Sequence, residues 1–392
     1  MSQSLSTGGF KWLTEKRLDK IMSKTILPDS KERYIFEVDL DYPRELHVMH
    51  NYYPVAAENM KVTSDMLSPY CKNIQEHFGI TIGQVAKLIP TLSSKTNHVL
   101  HYRNLQLYLS LGLRLKKVYR VLEFDQSPWL GQYINFNTQE RMSAKNAFEK
   151  DLFKLLNNTV FVKTMENIRK RVDVRLVTDQ KKLSKLVSKP TYVNSKIFNE
   201  DLVAVHKIKE TLTLDRPAYV GMSILDLSKR LMYHFHYNHV KSRYGKKAKL
   251  LFTDTDSLCY EKETQDIYKE LWEDRNLFDN SDYPKDSQFF DSMNKKVIRK
   301  FKDEAAGMNV KDNGKNEKTA KGVGKYVTKK NITHENYKVC LLNLKQMLHS
   351  MRTIRSECDQ IGSYQLNKIS LSCFDDKRFI LDDGIHSSAT PK

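Results

Sequence analysis

Cysteine is scarce in this chain. Its five residues, Cys71, Cys259, Cys340, Cys358 and Cys373, are scattered without the paired spacing of a zinc site or a disulfide framework, and are expected to be reduced and structural. Long apolar runs are missing too: the longest are strand-sized, and residues 1–20 hold no uninterrupted hydrophobic region. That excludes a signal peptide or membrane-spanning helix at this end, so a soluble intracellular protein without a membrane partner is expected. Internal repeats are absent. Acid is in deficit, with 47 Asp and Glu against 65 Lys and Arg, a net charge of +18. Such an excess favours a polyanionic partner, nucleic acid before membrane headgroups. At 392 residues and 40% apolar content, the chain can bury one large core or two to three subdomains.

What is present begins with residues 249–260, where Asp254 and Asp256 stand one residue apart between apolar, strand-like arms. In a strand or tight hairpin, residues i and i+2 point the same way, so both carboxylates can face one cleft while the arms are buried. Two anions that close repel unless a cation neutralises them, which points to a divalent metal. A second acidic strand is expected at residues 33–40, ending at Pro43 and placing Asp39 near its C-terminal end. Residues 64–123 read as mostly helical, with Leu107, Leu111, Leu115 and Val118 spaced for one buried face. A long helix-forming run at 139–171 sets Lys154, Asn158 and Phe161 at i, i+4 and i+7, on a shared face. A basic tract follows over 169–189 and suits either a solvated surface or contact with a nucleic-acid backbone.

Residues 223–238 read as an amphipathic helix capped by Ser223. Its histidines, His234, His236 and His239, do not share one face, so aromatic packing is expected rather than metal binding. Between Lys295 and Lys330 twelve Lys or Arg face four acids among several glycines, the pattern of a flexible basic segment. A helix-like run near 343–355 and a β-like stretch at 378–381 complete the chain. Separate acidic strands and a cationic helix face suit phosphoryl or nucleotidyl transfer by a two-metal mechanism.

The segment Lys154-Leu155-Leu156-Asn157-Asn158-Thr159-Val160-Phe161 resembles motif B of family B DNA polymerases. Phe252-Thr253-Asp254-Thr255-Asp256-Ser257 resembles motif C, and Asp39 to Pro43 a shortened motif A, in the family's order. The likeness is strongest to the protein-primed branch of organellar, viral and self-synthesising transposon type. It runs from about Gly8 to Gly384 and is strengthened by Thr164-Met165-Glu166-Asn167, His101-Tyr102-Arg103-Asn104-Leu105 and Asp375-Asp376-Lys377-Arg378. It implies an α+β right-hand fold: an N-terminal remnant at 1–30, palm at 31–70, a helical insertion at 71–135, fingers at 136–190, palm again at 191–262, and thumb with the C-terminal segment at 263–392. Only about thirty residues precede Ile35, so no proofreading exonuclease domain is expected.

The roles implied by that resemblance are these. Asp39 and Asp256, with Asp254 beside them, would be catalytic ligands of two Mg²⁺, with Mn²⁺ as the alternative. Tyr42 would lie under the incoming sugar. Lys154, Arg141 and Lys145 would meet the triphosphate, Asn158 would brace the site, and Phe161 would pack on the nascent base pair. Lys321, Lys325 and Tyr326 would hold the primer strand. Template and primer DNA, deoxynucleoside triphosphates and a priming protein are the implied partners, and a nuclear location follows if the gene derives from a transposon. Two features depart from the family pattern: Val162 replaces a glycine, which is expected to impair nucleotide binding, and motif A is two residues short, leaving Glu37 or Asp41 as alternatives to Asp39. The rival readings are a catalytically dead, polymerase-derived nucleic-acid-binding protein and a metal-dependent glycosyltransferase.

Overall fold

The structure, a computed structural model, describes residues 1–14, 32–303, 318, 320, 322–357 and 360–389. The described residues divide into two compact units. One comprises Met1–Phe161, Tyr219–Asn316 and Asp375–Lys392; the other comprises Val162–Ala218 and Glu317–Phe374.

The first unit is organised by strand β2 (Glu32–Asp41), whose Phe36, Val38 and Leu40 are buried while Glu37, Asp39 and Asp41 between them face outward. Full burial of Val38 and Leu40 contributes about 2 kcal/mol each. β2 belongs to an antiparallel sheet of order β1-β6-β2-β5, with β1 (Leu5–Trp12), β5 (Lys95–His101) and β6 (Arg114–Ser127); a short pair, β3 (Glu58–Met60) and β4 (Lys87–Ile89), lies apart. Residues 5–12 are thus an integral edge strand.

The helical reading of 64–123 needs correction. Helices Pro69–Phe78 and Tyr102–Ser110 do form, but the periodic run ends at Gly112, whose φ of +103° suits glycine. Leu115 and Val118 lie instead on β6, opposite Leu40 and Val38. Pairing along β2 wins over a spacing that a helix could equally have used.

The run 139–171 also breaks, into helices Gly131–Ser143 and Ala147–Thr164. Asn146 caps the second: its Oδ1 accepts the Glu149 N–H and its Nδ2 donates to Glu149 Oε1, both at 2.9 Å.

In the second unit, β7 (Asp173–Val177), β8 (Tyr192–Asn199) and β9 (Leu202–Lys207) form a sheet of order β7-β9-β8. Val177, Val203 and Val205 pack there against Leu183 and Leu186 of helix Gln180–Val187, which Asp179 caps. The basic tract of 169–189 is therefore folded into this sheet and helix.

The chain continues in the first unit with helix Ala218–His234, which begins five residues before the expected cap; Ser223 lies inside it and bonds the Tyr219 carbonyl at 2.9 Å. It passes into a π-helical turn, Phe235–Lys241. Tyr233 and Tyr237 from this stretch enter the core beside β2. The hairpin of β10 (Ala248–Asp254) and β11 (Ser257–Lys262) follows, then helix Ile267–Glu273.

Back in the second unit, helices Lys325–Asn331 and His334–Leu342 lead to a long hairpin of β12 (Met347–Glu357) and β13 (Gln360–Leu371) around Ile332, Cys340 and Leu371. Residues 347–355, expected as helix, are strand, because each finds a partner along β13. The first unit closes with β14 (Phe379–Ile380) and β15 (Ser387–Ser388), where the Arg378 guanidinium donates to the Asn51 carbonyl at 3.0 Å. No helix among the described residues is long and apolar enough to cross a membrane.

Candidate active site

β10 and β11 pair as far as Asp254 opposite Ser257, leaving Thr255 and Asp256 as a two-residue loop. Thr255 has φ of +50°, and the Asp256 N–H donates to the Asp254 carbonyl at 2.6 Å. A β-branched residue in the left-handed region costs on the order of 1–2 kcal/mol, and strain of this kind concentrates at functional sites. Both carboxylates are exposed, and neither has an ion-pair partner among the described residues; Thr255 Oγ1 donates to Asp254 Oδ1 at 3.3 Å. Of the two arms, Leu250 is buried, and Leu258, Cys259 and Tyr260 are half-buried, with Leu258 and Tyr260 packed on a core cluster. Beyond a bulge, Leu251 and Phe252 are 60% and 62% exposed, because the sheet has only two strands and that face has no cover.

On β2 the three outward acids differ in their partners. Glu37 pairs with Arg120 at 2.6 Å, and Asp41 accepts from Ser94 Oγ at 2.9 Å and meets Lys116 at 3.3 Å. The Ser94 hydrogen bond, then Lys116, holds the Asp41 carboxyl below its ordinary range. Among the described residues Asp39 has no such cation. Its Oδ1 accepts the Asn97 N–H at 2.9 Å and its Oδ2 the Tyr119 hydroxyl at 2.8 Å, a bond that raises the Tyr119 pKa. Sequence reading missed both partners; the signal for Tyr119 was the alternation of Lys, Arg and Tyr along 114–120, which gives β6 a basic outer row opposite the acids of β2.

Tyr42 is only 4% exposed and sits in the core, with its hydroxyl 2.7 Å from His50 Nδ1. Burial raises its pKa. Among the described residues no three His, Cys, Asp or Glu side chains gather into a group able to hold a metal ion, Asp39 with Asp254 and Asp256 included.

Helices Gly131–Ser143 and Ala147–Thr164 are joined side by side by Asn137 Nδ2 donating to Asn157 Oδ1 at 2.9 Å. Lys154 and Asn158 are exposed on the second, with Phe161 half-buried further along. Arg141 is exposed in the last turn of the first, and Lys145 lies in the link, its N–H bonded to Glu149 Oε2 at 2.9 Å. Val162 continues the helix and is 60% exposed, so no positive φ is required there.

Glu166 accepts two hydrogen bonds from Arg171, at 2.9 and 2.7 Å, which hold its pKa down at about 2. Lys321 lies outside the described residues. Lys325 and Tyr326 belong to the second unit, where the Tyr326 hydroxyl accepts the Arg352 N–H at 2.7 Å and donates to the Arg352 carbonyl at 3.3 Å, tying its helix to β12.

No protein-family model and no curated protein matches the chain. Among solved structures it is similar to Phi29 DNA polymerase. Against the ternary complex with primer-template DNA and incoming nucleotide substrates, the TM-score is 0.47 at 13% identity, covering 94% of this chain and 55% of that one. Against the post-translocation binary complex with primer-template DNA, it is 0.36 at 13% identity, covering 69% and 37%. Against the orthorhombic crystal form, it is 0.37 at 12% identity, covering 68% and 36%. The chain thus spans about half or less of the length of these structures.

Proposed function

We propose that the chain is a DNA-directed DNA polymerase that adds deoxynucleoside monophosphates to a primer hydroxyl, in the replication of a mobile or virus-like element. The observation that carries this reading is the exposed Asp254 and Asp256 pair on its strained hairpin tip, two acids without an ion-pair partner among the described residues. Asp39 adds support, being the one acid on the outer face of β2 that lacks an ion pair among the described residues.

The donor chemistry fits Mg²⁺ or Mn²⁺: these ions take oxygen ligands, and Mg²⁺ is commonly held by one or two carboxylates, with water and substrate phosphates completing its shell. Asp254 and Asp256 would hold such ions at the hairpin tip, with phosphates and water completing the shell; Asp39, on β2, stands apart from them in this structure. When bound, the metals supply Lewis-acid activation of the attacking hydroxyl and stabilise the leaving pyrophosphate.

The chain's own residues do the rest. Lys154, with Arg141 and Lys145, neutralises the triphosphate, Asn158 braces that face, and Phe161 abuts the nascent pair. Tyr42, seated on His50 in the core, acts by positioning the end of β2. In this reading the first unit supplies palm and fingers, and Lys325, Tyr326 and Lys321 hold the primer from a thumb.

Primer extension tests it. Asp256→Ala should abolish Mg²⁺-dependent incorporation and leave DNA affinity within about twofold, because phosphate contacts from Lys and Arg supply most of that affinity. Extension that survives in Asp256→Ala, or an equal fall in binding, would sink the assignment. Among the described residues no three carboxylates gather into one group, which favours one second reading, a polymerase-derived DNA-binding protein; DNA bound without any extension by the unaltered chain would select it.

A further inference from the structure

A groove of about 500 Å³ within the first unit lies between helix Gly131–Ser143 and the loop 295–299, and none of its lining residues has a role in the reading above. Asn135, Gln139 and Met142 form one wall; Lys295, Lys296 and Arg299 lead the other, with Val297 and Ile298 between them.

The loop is built by buried polar side chains. Asn294 Nδ2 donates to the carbonyls of Arg275 and Phe278 at 2.8 and 3.0 Å, and Asp279 Oδ2 accepts the Lys296 N–H at 2.8 Å. Thus held, Lys296 and Arg299 take φ of +55° and +75°, conformations that long L side chains adopt only when their surroundings impose them. Burial, and then Lys150, Lys295, Arg141 and Lys302, press on the Lys296 ammonium and lower its pKa. Lys302 is paired with Asp282, but Arg141, Lys150, Lys295 and Lys296 have no ion-pair partner among the described residues. Cations from two helices and a strained loop stand together beside one carboxylate, Asp279, whose Oδ2 is taken by the Lys296 N–H, and this excess of positive charge repels itself until an anion joins it.

We propose that this groove is a nucleotide-phosphate site. Phosphates sit on Lys295, Lys296 and Lys150, while a base lies against Met142 with the Asn135 and Gln139 amides at its edge. The volume is in the usual range for small-ligand sites, and amides beside an apolar wall suit a nucleotide better than a bare anion. The phosphates come from a nucleic-acid strand or from a free nucleoside triphosphate, which share this chemistry.

The test is equilibrium binding by the full chain without divalent metal, using a fluorescent single-stranded oligonucleotide and, separately, a nucleoside triphosphate over a range of salt. Three forms are compared: unaltered, Lys295→Gln/Lys296→Asn, and the charge-retaining Lys295→Arg/Lys296→Arg. Asparagine is chosen at 296 because it tolerates the left-handed region. For a strand, losing two phosphate contacts lowers the slope of log affinity against log salt by about 1.4 and weakens binding on the order of 20-fold at 0.1 M salt. The arginine form should bind like the unaltered chain, and the probe that shows the loss identifies the source. Unchanged affinity for both probes in the neutral form overturns the proposal, as does an equal loss in the arginine form. The readout needs neither Asp256 nor metal, so primer extension can fail while the groove binds, and the reverse.

Discussion

Lowering the pH from 7 to 5 should strip the first unit of several kcal/mol of stability through three buried histidines. His50, His101 and His236 are all buried, and Nε2 of His50 and of His236 meets no hydrogen-bond partner among the described residues. Burial is the main cause that depresses their pKa values: His50 to about 4, with His47 adding to it; His101 to about 3, with Arg103, Arg33 and Arg230; His236 to about 3, with Lys241 and His50. In the unfolded chain each takes up a proton near pH 6.5. Between that value and the folded pKa the unfolded state binds more protons, so the stabilisation is complete above pH 6.5 and is lost as the pH falls toward 4 or 3. One group changes stability by up to about 1.4 kcal/mol per pH unit, and three by about 4. At pH 5 the loss reaches about 6 kcal/mol, comparable with the whole stability of a typical domain. Half-buried His98, depressed to about 4 chiefly by burial, adds in the same direction. Trp12, Trp129 and Trp272 all lie in the first unit, so tryptophan fluorescence during urea unfolding follows that unit. The urea midpoint should fall steeply below pH 6.5, and His236→Gln should remove about a third of the slope. A flat midpoint from pH 7 to 5, or an unaltered slope in His236→Gln, would refute the reasoning.

Two further changes probe the frame around the site. Lys95 is wholly buried and pairs with Glu58 at 2.8 Å, while Glu58 itself is 26% exposed; Glu58→Ala should cost about 3 kcal/mol in urea unfolding, and a loss below about 0.5 kcal/mol would mean the pair is idle. Val162 lies in an exposed stretch of helix, so Val162→Gly should lower thermal stability by about 1 kcal/mol without raising primer extension, and a gain in extension would contradict its helical placement.

Periodicity made some features legible in advance. The alternation of Phe36, Val38 and Leu40 with Glu37, Asp39 and Asp41 defines β2 and its outward acids, and the spacing of Lys154, Asn158 and Phe161 defines one helical face. Two apolar arms around Asp254 and Asp256 announced a hairpin. These patterns are local, and the backbone repeats of 2.0 and 3.6 residues read them directly. The same reading misplaced Leu115, Val118 and residues 347–355, whose apolar spacing suits a helix alone but a strand once a partner lies alongside.

Tertiary structure alone decided the partners of Asp39 on β2, because Tyr119 and Asn97 reach it from 80 and 58 residues away in sequence. It also decided that the loop 295–299 faces helix Gly131–Ser143, and that three histidines lose their water. Long-range pairing and burial are settled by which surfaces meet, and no window of neighbouring residues contains that information.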